Sequence, residues 1–86
     1  MTFDQWIDSV NADLHGRLGN AVRTEELSWD SAMWVGSGGT VVAALDTNES
    51  TVAISFDDGE KLSLPYRDAG PAAVSATIAA RLIAAA

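Results

Sequence analysis

Cysteine is missing from all 86 residues, which excludes disulfides, thiolate metal ligands and thiol nucleophiles. Histidine occurs once, at His15. A single imidazole leaves little from which to build a Ser/His/Asp set or a histidine metal cluster. No basic n-region precedes an apolar run at the start, because Asp4 and Asp8 interrupt the first turns, so nothing there reads as a leader. The charge-poor run 69–81 is too short and too rich in alanine to span a bilayer. The expectation is a soluble, cytoplasmic protein.

Basic residues are scarcer still in the middle. Between Arg23 and Lys61 there is none, while the same interval holds Glu25, Glu26, Asp30, Asp46, Glu49, Asp57, Asp58 and Glu60. The formal net charge of −7 is therefore generated by the centre of the chain rather than by its ends. Such a field repels nucleic acid, phosphate ligands and anionic membrane and attracts basic surfaces. Surplus acid also serves simply to keep a small protein soluble.

What is present reads as one small folded domain, 1–86. The 48% hydrophobic content with 20% charged residues is too apolar for disorder. Residues 2–15 carry Phe3, Trp6, Ile7, Val10 and Leu14 at helical spacing. Thr2 with Gln5 fits a capping box, and Gly16 or Gly19 supplies the stop. Short strands follow at 31–35, 40–46, 51–56 and 61–66, with a further one at 24–29 that would turn Leu27 and Trp29 inward. Pro71 opens a C-terminal helix to about residue 84, with Val74, Ile78, Leu82 and Ala85 as its stripe. Alanine on its other side makes it apolar nearly all round, which predicts burial on more than one side. The fold class is α+β: an N-terminal helix, an antiparallel meander of three to five strands and a C-terminal helix, in two layers. The predicted core adds Val41, Leu45, Val52, Ile54, Phe56, Leu62 and Leu64 to the helix stripes.

Each motif has to be weighed against an ordinary structural role. "GSGG" at 36–39 lacks the lysine and the following helix of a phosphate loop, and no G-x-G-x-x-G is present, so it reads as a hairpin turn. His15 lies on a strip with Asp4, Asp8 and Asn11, but Asp4 and His15 are three turns apart, too far for one ion. "DTNES" begins like a calcium loop at Asp46, Asn48 and Ser50. It then has Thr51 where glycine is needed and Asp57 where the bidentate glutamate belongs. Adjacent carboxylates at Asp57 and Asp58 in a turn diverge into water. No cofactor and no metal ligand is expected.

Tryptophan is the more telling residue. Trp6 belongs to the helix face. Trp29 and Trp34 flank "DSAM", one of them fit for the core and one for partner contact beside acid. Opposite the core, Thr40, Val42, Ala44, Thr51, Ala53, Ser55 and Ser63 make a small, uncharged sheet face, either covered by a helix or open for docking. The leading expectation is a non-enzymatic acidic module that binds a basic surface of another protein through Glu25, Glu26, Trp29, Asp30, Trp34, Asp57, Asp58 and Glu60. Small inhibitors, immunity proteins and phage-encoded antagonists share this size and charge, which points to a bacterial or phage source. The alternative is a homo-oligomer, a homodimer in the simplest case, paired through the C-terminal helix or the neutral sheet face. Neither reading involves direct contact with nucleic acid or membrane.

Overall fold

A computed structural model describes residues 2–46 and 50–83. Helix α1 spans Phe3–Leu18, a 3-10 turn covers Gly19–Ala21, and five strands follow: β1 Val22–Leu27, β2 Ser31–Gly36, β3 Gly39–Leu45, β4 Thr51–Phe56 and β5 Lys61–Pro65. Helix α2 spans Pro71–Leu82. The strands pair antiparallel in chain order, β1-β2-β3-β4-β5. The α+β architecture read from the sequence is the observed one, with all five strands formed. Among the described residues, no helix is long and apolar enough to cross a membrane.

Local chemistry sets the boundaries. The Thr2 N–H donates to Gln5 Oε1 at 3.0 Å, the reciprocal half of a capping box, and Thr2 Oγ1 donates to Asp4. The helix runs through Gly16 and ends at Gly19, whose φ of 55° is a conformation that side chains with a Cβ avoid. Pro71 stands at the start of α2, where its missing N–H costs nothing.

Both helices lie on one face of the sheet. There Phe3, Trp6, Ile7, Val10 and Leu14 of α1 and Val74, Ile78, Ala79 and Leu82 of α2 join Ala32, Trp34, Val41, Ala43, Val52, Ile54 and Phe56 in one core. Leu45, Leu62 and Leu64, expected inside, are only partly buried against it. Val22 and Tyr66 are buried additions. Val22 opens edge strand β1, outside the predicted strand, and Tyr66 sits one residue past β5.

Two expectations need correction. Leu27 and Trp29 are not buried: they are 43% and 68% exposed. A bulge between Thr24 and Glu26 sets Leu27 opposite Ala32 on the helix-covered face, but at the edge of the sheet, where it stays half-open. Trp29 falls in the turn beyond β1. Helix α2 is buried on one side only, with Ala72, Ala73, Ala76 and Ala80 exposed; these alanines serve helix propensity rather than packing. Ala85 lies outside the described residues. Of the two readings left open for the neutral sheet face, cover by a helix is not the one observed: α1 and α2 both pack on the other side, and Val42 at its centre is 37% exposed.

Candidate functional site

The antiparallel order fixes where the acidic residues go. The β1–β2 turn and the end of β3 lie at one end of the sheet, and the β2–β3 and β4–β5 turns lie at the other. The eight residues singled out by sequence therefore do not form one surface. Glu25, Glu26, Trp29 and Asp30 gather at the first end. Asp57, Asp58 and Glu60 gather at the second, and Trp34 is at neither.

Trp34 is the clearest correction. It is fully buried, and its indole N–H donates to Asn11 Oδ1 at 2.9 Å, so it offers no surface to a partner. The Thr24 hydroxyl donates to the same Asn11 oxygen at 2.7 Å. Having given its proton there, Thr24 can only accept at 2.7 Å from His15 Nε2, which fixes His15 as the Nε2–H tautomer or the imidazolium. The lone histidine thus ends a chain of hydrogen bonds that braces α1 against β1 and β2.

At the second end the carboxylates are occupied by the fold. Asp57 Oδ1 accepts the Thr40 N–H at 2.9 Å, and Asp58 Oδ1 accepts the Glu60 N–H at 2.9 Å. Arg81 reaches from α2 to Asp58 at 2.7 Å and to Glu60 at 3.5 Å, with its guanidinium 4.3 Å from the Phe56 ring centroid. A base distant in sequence therefore neutralises part of the acidic interval. The glycines of "GSGG" belong to this arrangement. A Cβ on Gly39 would stand 2.5 Å from Asp57 Oδ2, and one on Gly36 would stand 2.2 Å from the Leu82 carbonyl oxygen. The turn is the seat of α2 and of the Asp57 carboxylate.

The first end is different. Ser28 closes a tight turn, its N–H donating to the Ser31 carbonyl at 2.8 Å and its hydroxyl to Asp30 Oδ1 at 2.9 Å. The Leu45 N–H donates to the Asp30 carbonyl at 2.8 Å, so the turn is also tied to β3. The bracing presents Trp29 to solvent. Behind it lies a shallow cleft lined by Phe3, Leu45 and Tyr66, with Asp4 and Arg67 beside them. The Phe3 and Tyr66 rings meet edge to face at 5.1 Å, and Arg67 lies 5.7 Å from the Tyr66 ring centroid. Glu25 pairs with Arg23, whereas Glu26 has no ion-pair partner among the described residues.

The chain matches no protein-family model, and no curated protein or solved structure is significantly similar to it. Its function has to be read from the surface alone.

Of that surface, sequence reasoning missed Phe3, Tyr66 and Arg67 at the cleft. The N-terminal helix and the residues after β5 meet only through the tertiary fold. Among the described residues, no group of three or more His, Asp or Glu side chains is placed to hold a metal ion. Asp4 and Asp13 have displaced carboxyl pKa values. The Thr2 hydroxyl, first, holds Asp4 below the usual range. Asp13 is held low by Ser75 and then by Arg17.

Proposed function

We propose that this chain is a small acidic protein-binding module, without catalytic chemistry of its own, that docks on a basic surface of another protein in the manner of an inhibitor or immunity protein. The contact end is the β1–β2 turn. One observation carries the reading: Trp29 stands 68% exposed on a turn that hydrogen bonds hold in place, with Asp30 next to it and Glu25 and Glu26 on the strand that leads into the turn. Covering such an indole removes on the order of 140 Å² of apolar surface, worth about 3 kcal/mol. Arginine is the side chain that best uses both features, stacking on the ring while its edge meets carboxylates. Asp57, Asp58 and Glu60, engaged by Arg81 and the backbone, add to the long-range field that steers a basic partner rather than to the contact.

Affinity capture from a lysate of the source cells tests this, with the wild-type chain, Trp29→Ala and the double variant Glu25→Lys/Glu26→Lys as baits. The expected result is a basic partner held by the wild type at low salt, released by added salt and lost from both variants. Asp58→Asn should keep it. Partners retained equally by Trp29→Ala and by the double reversal would refute the assignment.

A further inference from the structure

The uncovered sheet face has an arrangement of its own. Successive pairings place Glu26, Met33, Val42, Ser55 and Lys61 in one continuous row across all five strands. The row begins with an acid on edge strand β1 and ends with a base on edge strand β5. Both side chains are exposed, and neither has an ion-pair partner among the described residues. Between them the face is neutral, with Met33, Val35 and Val42 as its apolar ridge and Ala44 and Ala53 beside it. The surplus of acid sits at the sheet ends, so this face carries almost none of the charge that keeps copies apart.

We infer that the face binds a second copy of this chain. Two sheets packed face to face, related by a two-fold axis parallel to β3, lay β1 of each copy over β5 of the other. Glu26 of one copy then stands opposite the Lys61 position of the other, and the reverse pair closes the opposite edge. Val42, on the middle strand of the row, falls at the axis and meets its own equivalent. A row that is acid at one end and base at the other is complementary to itself only in this orientation; the inverted stacking would oppose like charges. Five strands at about 4.8 Å spacing and about 17 Å length give a flat footprint of roughly 400 Å² per copy before side-chain relief is added. At about 800 Å² in total this flat footprint is smaller than a standard specific interface, so the dimer is weak and dissociates on dilution. It takes up Glu26 but leaves Trp29 and Asp30 uncovered, and it does not depend on the function proposed for the Trp29 turn.

Sedimentation equilibrium from about 1 µM to 1 mM tests the inference on the full chain. The wild type should pass from monomer to dimer across that range. Val42→Asp puts two carboxylates together at the axis and should raise the dissociation constant at least a hundredfold. Glu26→Lys and Lys61→Glu should each raise it about tenfold, since each variant turns both edge pairs repulsive. The combined Glu26→Lys/Lys61→Glu chain should recover most of the loss, which nonspecific association would not do. Circular dichroism and thermal melts confirm that each variant is folded; these side chains lie outside the core. A wild type monomeric at 1 mM overturns the inference, as does a dimer indifferent to Val42→Asp or a charge swap that fails to restore it.

Discussion

Replacing Gly36 with alanine is the most direct probe of how this fold closes. The added Cβ would lie 2.2 Å from the Leu82 carbonyl oxygen and 3.0 Å from its carbon. These are backbone atoms, so no side-chain rotation relieves the contact, and the last turn of α2 has to move by about 1 Å. That shift strains or breaks the hydrogen bond from the Gly38 N–H to the same carbonyl, 2.8 Å long, and loosens Leu82, which is fully buried. Overpacking costs about 1–3 kcal/mol, and the hydrogen bond contributes about 1 kcal/mol. A loss of about 2–4 kcal/mol is expected, a large share of the roughly 4–13 kcal/mol that a domain of this size possesses. Differential scanning calorimetry should show a fall in Tm of roughly 10–30 °C. Gly16→Ala is the control: its added Cβ meets nothing within 4 Å, and inside α1 the change should stabilise by about 1 kcal/mol. A Gly36→Ala protein melting within 2 °C or so of wild type would refute the close-approach reasoning.

Asn11→Leu should cost about 1–3 kcal/mol by leaving the buried Trp34 N–H unpaired. Adding Trp34→Phe should recover part of that loss, which urea denaturation of the four proteins in the cycle would measure. Arg81→Ala should cost about 1 kcal/mol. It leaves Asp57, Asp58 and Glu60 without their base, so added salt should stabilise the variant more than the wild type. For Asp13 the sign follows from its lowered pKa: its contribution is present above the unfolded carboxylate pKa and lost as pH falls through the folded value. Asp13→Asn should therefore flatten the loss of stability as pH falls below the ordinary carboxylate value of 3.8, seen as a smaller change in urea midpoint.

The periodic parts of this structure were legible in the chain. Helix α1 declared itself through its apolar stripe and capping residues, β4 through strict alternation and α2 through Pro71. The features that escaped depend on pairs far apart in sequence. Trp34 lies inward through the regular alternation of β2 with Ala32, whereas Trp29 is exposed because β1 stops at Leu27 and leaves it in the turn, a boundary that alternation alone does not report. The acidic interval seemed unopposed because Arg81, which neutralises part of it, lies outside it. Gly36 looked like a turn residue, yet its requirement comes from the end of α2. The candidate site was half visible: Trp29 with its carboxylates was readable, while Phe3, Tyr66 and Arg67 at the cleft were not.

The Trp6 indole N–H donates to the Ala69 carbonyl, 63 positions later, at 2.9 Å. Helix α1 is thus completed by residues made 63 positions after Trp6. At 5–20 residues per second, Phe3 and Trp6 wait roughly 3–13 s for Tyr66 and Ala69. During that time the meander can form alone, since every strand pairs with its sequence neighbour, while Phe3 and Trp6 lack the Tyr66 ring and the Ala69 carbonyl that complete their surroundings. Burial of Trp6 therefore waits on the segment that follows β5, and until it arrives the stripe of α1 is open to chaperones and proteases.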